Sequence, residues 1–234
     1  MSIDRRTFLA LSGASLLAAC RDAEGPGWAR RLLRVAERRN ETLERALLRQ
    51  GSRDHAPAAA RAAGDAFPRY FISSRMPVWD PAVRGAWHLQ VAGLVRRPLT
   101  LSLDDLSRLR SITQRVNHYC VEGWTAVATW TGVRVSELAS LAGARPEAEY
   151  VDFESFDSDY HESWDMESAM HPQTIVAYAM DGRFLGPGHG APARLHSPVK
   201  LGYKSVKYLT RVVFLPRRNG GYWSDQGYEW YAGV

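Results

Sequence analysis

Apolar and polar side chains alternate over residues 87–91 (Trp-His-Leu-Gln-Val), the two-residue period of a half-buried strand. The period returns over 150–154, and 208–215 is rich in β-branched residues, so two further strands are expected. Residues 174–180 are almost continuously apolar and end on Asp181-Gly182, a two-residue hairpin signal. Arg97-Pro98 marks a turn, and Ser102 with Asp105 three residues on makes a capping box. That box opens a short helix whose buried stripe would be Leu103, Leu106 and Leu109. Short strands mixed with short helices, without regular strand–helix–strand alternation, predict an α+β fold rather than a doubly wound sheet.

Ahead of residue 67 the period changes. From Gly25 to Gly51 the residues Trp28, Leu32, Val35, Leu43, Ala46 and Leu47 recur near one helical face, with Arg30, Arg34, Arg38, Glu41, Arg45 and Arg49 elsewhere. A helix packed through its apolar face is expected; contact with a partner or a membrane surface is the alternative. Residues 52–66, Ala-rich with Pro57 and Gly64, read as a linker. At the start, Arg5-Arg6 precedes an apolar run of 12 residues, Phe8 to Ala19. A bilayer takes roughly 20 residues to cross, so this is a twin-arginine export signal rather than a membrane helix. Leu17-Ala18-Ala19-Cys20 resembles a lipoprotein cleavage site, which would make Cys20 a lipid anchor; cleavage near Ala19 without lipid is the other reading. The expected organisation is a signal over 1–20, a helix and linker over 21–66, and one domain over 67–234, in a periplasmic protein.

With 45% hydrophobic and 24% charged residues in 234, the chain can build a core, which excludes a disordered tail or a disulfide-stapled miniprotein. The formal charge of +5 is carried by 27 Arg and 3 Lys, several of the Arg lying in the first 53 residues. Neither a concentrated basic face nor a recognition motif is present, so no nucleic-acid partner is expected. Lys200, Lys204 and Lys207 fall within eight residues beside Gly202. Gathered ammonium groups suit an anion pocket, or a solvated basic loop. Cys20 and Cys120 are the two cysteines; if Cys20 is removed or acylated, Cys120 is the one remaining thiol.

Cys120 sits in the run His118-Tyr119-Cys120-Val121-Glu122-Gly123-Trp124. As chemistry alone this admits a nucleophile with a nearby base, a soft metal ligand, or a buried inert thiol. With no second thiol, zinc is poorly supported. No c-type haem motif occurs, and no haem is expected in the chain.

That run, followed by Gly190-Ala191-Pro192-Ala193-Arg194-Leu195 and by Pro198 with Gly202-Tyr203-Lys204-Ser205-Val206-Lys207, resembles the sulfite-oxidase-like molybdopterin oxidoreductases. The similarity covers roughly 67–215 and is greatest to the branch of periplasmic methionine-sulfoxide reductase catalytic subunits. The resemblance implies the sulfite-oxidase-type fold, a molybdenum–molybdopterin cofactor with Cys120 as metal ligand, and two-electron oxygen-atom transfer. Reduction of S-oxides such as protein methionine sulfoxide is the expected direction, and oxidation of sulfite or another small molecule the alternative. It implies cofactor contacts from Ser155, His189, Arg194, Ser205, Val206 and Lys207, and catalytic roles near the metal for Glu122 and Tyr160. Ser73, Ser74 and Arg75 fall where the family has Arg-Asn-His or Asn-rich cofactor contacts, and His189 stands in place of an Asn. Asp157 and Asp159 are expected at the pocket border, and His118 and His171 as structural. Electrons would come from a separate membrane-bound haem protein, and the chain is expected to be a monomer. A metal-free cysteine hydrolase built on Cys120 and His118, or a non-catalytic binding lipoprotein, are the rival readings.

Overall fold

The computed structural model describes residues 27–47 and 66–234. The signal, Cys20 and all but the last residue of the linker over 52–66 lie outside the described residues. Helix α1, Gly27–Leu47, forms where the apolar period places it. Trp28, Leu32, Leu33, Val35 and Leu43 along it are exposed. Among the described residues no helix is long and apolar enough to cross a membrane.

The rest of the described chain is built on two sheets. The first has the strand order β2-β1-β10-β5-β6, with β1 at His88–Gly93, β2 at Leu99–Ser102, β5 at Tyr150–Ser155, β6 at His161–Asp165 and β10 at Leu209–Leu215. The pair β1 and β10 is parallel, with Gln90 opposite Arg211, and its other pairs are antiparallel. The second sheet runs β3-β4-β7-β8, with β3 at Ser111–Tyr119, β4 at Thr125–Arg134, β7 at Ile175–Met180 and β8 at Arg183–Phe184, while β9, Arg194–His196, pairs with β7. A mixed arrangement of this kind is the expected α+β class.

Local chemistry sets the elements. Ser102 Oγ accepts from the Asp105 N–H at 3.1 Å and Asp105 accepts from the Ser102 N–H at 3.0 Å. The capping box thus closes on helix α2, Leu103–Arg108, of which only Leu106 is fully buried. Asp181 and Gly182 both take positive φ, 49° and 78°, and turn β7 back into β8. One core joins Leu89, Val91, Val151, Phe153, Val212 and Phe214 of the first sheet to Val135, Leu138 and Ala142 of helix α3, Val135–Ala142. A second cluster gathers Val116, Ala126, Ala128, Trp130, Ile175 and Ala177 around Phe67. Here Gly132 lets β4 lie against β7, since a Cβ at that position would stand 2.2 Å from the Val176 carbonyl oxygen.

Candidate active site

The β3–β4 hairpin ends in the loop that carries Cys120. The Cys120 N–H donates to the Trp124 carbonyl at 3.0 Å, the Gly123 N–H returns to the Cys120 carbonyl at 3.0 Å, and Gly123 supplies the positive φ of 85° that closes the turn. Cys120 is half-buried on a cavity of about 340 Å³, which Glu122, Arg194 and Lys207 also line.

Glu122 organises the loop. Its Oε2 accepts from Trp124 Nε1 at 2.9 Å and from the Tyr70 hydroxyl at 3.1 Å, and lies 3.8 Å from Cys120 Sγ. The donors, Trp124 first and then Tyr70, hold the Glu122 carboxyl below the usual carboxylate range. Burial, reinforced by the Glu122 charge, pushes the Cys120 thiol up. An activated nucleophile would show the opposite shift. His118 does not help the thiol, because burial, with Arg194 and Lys207 nearby, presses the imidazole down to about 3.

The inner wall has the signature of a site for an anion. Arg194 is 1% exposed, yet its guanidinium donates only to carbonyls: Leu195 at 3.3 Å, His189 at 3.2 Å and Ser205 at 3.4 Å. Its plane lies over Trp130, 4.9 Å from the ring centroid. Among the described residues it has no carboxylate partner. An uncompensated buried charge is strongly destabilising, and burial accordingly lowers the Arg194 pKa to about 10. Lys207 faces the same cavity, its Nζ donating to the carbonyls of Tyr70 at 2.6 Å and Gly188 at 3.1 Å. Burial first, and then Arg194, lower its pKa to about 7. Three further cavity-lining side chains, His118, Ser205 and Tyr208, have buried polar atoms (Nδ1, Oγ and the phenol oxygen) without a partner. Two cations and three unpartnered polar atoms around one cavity fit a phosphate-bearing group with ring heteroatoms.

The remaining expected residues divide. Ser155 and Tyr160 line the cavity, the Ser155 hydroxyl accepting from the Asp157 N–H at 2.9 Å and the Tyr160 hydroxyl donating to the Tyr203 carbonyl. Burial drives the Tyr160 pKa well up. Asp157 also lines it and accepts from the N–H groups of Ile72 and Ser73, at 2.8 and 3.0 Å, and from the Ser73 hydroxyl. Ser73, Ser74 and Arg75 are not among the lining residues, and Ser74 and Arg75 are exposed. His189 and Val206 are buried beside the cavity rather than on it, the His189 carbonyl orienting Arg194. Asp159 is exposed and lines a separate surface cleft. His171 is buried and accepts from the Gln173 N–H at 3.2 Å, a structural turn contact as expected.

The lysine cluster is corrected. Lys200 Nζ lies 3.1 Å from Asp165 and Lys204 Nζ 2.5 Å from Glu162, both pairs buried. Only Lys207 reaches the cavity, because the turn over 202–204 sends the other two inward onto carboxylates of β6. Tyr70, Trp124, Tyr203, Tyr208, Trp223 and Tyr228 line the cavity without having been anticipated. Their signal in the sequence was the aromatic density around Gly202 and beyond Gly221, which alone does not distinguish core from cavity.

The model of the oxidoreductase molybdopterin binding domain family matches residues 75–223, well over half of the chain. This chain belongs to that family. It is 42% identical over 148 residues to a protein of Azospira oryzae named, provisionally, protein-methionine-sulfoxide reductase subunit YedZ1, covering 63% of this chain and 56% of that protein. It is 31% identical over 168 residues to the protein-methionine-sulfoxide reductase catalytic subunit MsrP of Campylobacter jejuni, with the same coverage. The MsrP of Ralstonia nicotianae is 31% identical over 166 residues, covering 63% of this chain and 50% of that one. The chain thus spans little more than half the length of these curated relatives. Among solved structures, the sulfane dehydrogenase SoxCD of Paracoccus pantotrophus superposes with a TM-score of 0.55 at 20% identity, covering 72% of this chain and 56% of that one. That likeness establishes the sulfite-oxidase-type fold.

Proposed function

We propose that this protein is an exported molybdenum–molybdopterin oxidoreductase that reduces S-oxides, in particular methionine sulfoxide in proteins. The observation that carries the reading is that the Cys120 thiol shares one cavity with a buried Arg194 that has no carboxylate partner among the described residues. Cys120 would ligate the molybdenum. Among the described residues no three His, Cys, Asp or Glu side chains converge to hold a metal, so its other ligands would come from the pterin. Arg194 and Lys207 would hold the pterin phosphate, with Ser205, Tyr208 and His118 meeting its polar edges. The names of the MsrP relatives support the substrate.

Reduction of a sulfoxide consumes two electrons and two protons, the S=O bond breaks, and the oxygen leaves as water. Molybdenum held by Cys120 and the pterin would supply the two-electron chemistry. The residues of the chain manage protons and position. Ligation would release the Cys120 proton, and Glu122 Oε2, 3.8 Å from Sγ, is the nearest carboxylate to it. Glu122 is exposed and exchanges protons with solvent directly, while Tyr70, 57% exposed, donates to its carboxylate. Glu122 therefore forms the short proton route to the thiol end of the cavity. Electrons would arrive from a membrane-bound haem partner, with the chain sent to the periplasm by its twin-arginine signal and held there by a lipid on Cys20. The Glu122 carboxylate beside the thiol disfavours sulfite, a doubly charged anion, as substrate.

The test is turnover by protein purified from a molybdopterin-competent host, with reduced viologen as electron donor. A peptide containing methionine sulfoxide should lose one oxygen by mass, and sulfite should not reduce ferricyanide. Sulfite oxidation with no S-oxide reduction would reverse the assignment.

A further inference from the structure

The family match ends at residues 75 and 223, yet the cavity does not. Tyr70 precedes the matched span, Tyr228 follows it, and both line the cavity while being 57% and 41% exposed, which places them at its mouth. Each belongs to an aromatic group. Tyr70 stacks on Trp124 with ring centroids 6.2 Å apart, and both turn their polar atoms onto Glu122. Tyr228 packs edge-on against Tyr203 at 5.4 Å and against Trp223 at 5.0 Å. The second group is fastened from behind: the Tyr203 hydroxyl donates to the Glu229 carbonyl at 2.5 Å, and the Tyr228 N–H donates to the Trp223 carbonyl at 3.0 Å. A fastened ring group whose outermost member, Tyr228, stays exposed on the cavity that Cys120 lines is a surface built for apolar contact.

We infer that Tyr228, with Tyr203 and Trp223, is a specificity subsite that selects neutral S-oxides carrying an apolar arm, as in a methionyl side chain within a peptide, over charged oxyanions and over the smallest sulfoxides. The inference rests on the S-oxide reductase reading above and assigns its selectivity to residues that the family span does not wholly contain. The charged groups lining the cavity besides Glu122 are Arg194 and Lys207, on the inner wall, and Asp157, which accepts from Ile72 and Ser73. At the mouth an arm therefore meets ring faces, and thioether sulfur and methyl groups pack favourably on such faces. An anionic substrate meets the Glu122 carboxylate there.

The measurement is the ratio of kcat/KM for a peptide containing methionine sulfoxide to that for dimethyl sulfoxide, per bound molybdenum, in wild type, Tyr228→Ala and Tyr228→Phe. Tyr228→Ala should lower the ratio about tenfold, through KM for the peptide, as loss of a hydrophobic contact in a pocket does. Tyr228→Phe keeps the ring and should hold the ratio within about twofold. Normalising to molybdenum separates this from cofactor loss. If wild type reduces both compounds and the ratio in Tyr228→Ala also stays within about twofold, the subsite is refuted and the S-oxide reading stands. If wild type reduces neither compound, the S-oxide reading falls and takes the subsite with it.

Discussion

Lys204 and Lys207 stand three residues apart and live in opposite surroundings. Lys204 is fully buried against Glu162, also donates to the Ser163 carbonyl at 3.2 Å, and has Trp230 within cation–π range at 5.4 Å. Burial pushes the two partners toward each other's neutral form, lowering Lys204 and raising Glu162. Lys207 has carbonyls for company, shares its cavity with the unpaired Arg194, and is pushed to about 7. The first lysine is finished within the fold. The second, like Arg194, makes no ion pair among the described residues, and Asp157 acts on it only through space. The difference teaches that cationic residue type near glycine does not mark an anion site; the missing ion pair does.

Perturbing the finished pair should give the largest effect. Lys204→Met leaves Glu162 as a lone buried carboxylate and should cost about 3–5 kcal/mol in chemical denaturation, whereas Lys204→Met with Glu162→Leu should recover most of that. Equal loss in single and double variants would show the pair is not what decides the site. Lys207→Met should spare the fold of the cofactor-free protein but lower molybdopterin retention about tenfold or more, read as pterin released per chain, in line with one charge-assisted phosphate contact. Ser205→Ala removes a hydroxyl that has no partner, so the cofactor-free protein should gain up to about 1 kcal/mol while the loaded protein gains none.

The last effect is in pH. The Lys207 pKa of about 7 lies below its ordinary 10.5, so between those values the unfolded chain binds a proton that the folded chain does not. Its contribution is therefore a destabilisation that is full below about pH 7 and fades as pH rises toward 10.5. Thermal stability of the cofactor-free protein should carry this upward contribution, and Lys207→Met should remove it; identical slopes in both would contradict the placement of Lys207.

Much of this was legible in the residues. The strand at 87–91, the run before Asp181-Gly182 and the Ser102 capping box are local signals, and the structure keeps them as β1, the β7–β8 turn and α2. The strands β3 and β4 were not anticipated. On β3 the inward positions are Gln114, Val116 and His118, so polar residues occupy the buried face and the alternation is hidden. Gln114 is admitted there because its Nε2 donates to the Gln173 carbonyl at 2.8 Å. Cys120, Glu122, Arg194 and Lys207 were readable from motif order, and the structure brings all four to one cavity. The fates of Lys200 and Lys204 were not, since Asp165 and Glu162 lie 35 and 42 residues away in sequence and meet them only through the fold. The aromatic mouth was hidden for the same reason: whether Tyr228 faces core or cavity is decided by Tyr203 and Trp223, not by its neighbours in sequence.

The central claim is a bond between Cys120 sulfur and molybdenum, and elemental analysis tests it directly. Protein from a molybdopterin-competent host should carry about one molybdenum per chain, and Cys120→Ser should lose the metal or, where pterin is retained, the sulfur-ligated spectroscopic signature. A folded wild-type protein without molybdenum, or a Cys120→Ser protein with the same metal content and the same spectrum, would contradict the account.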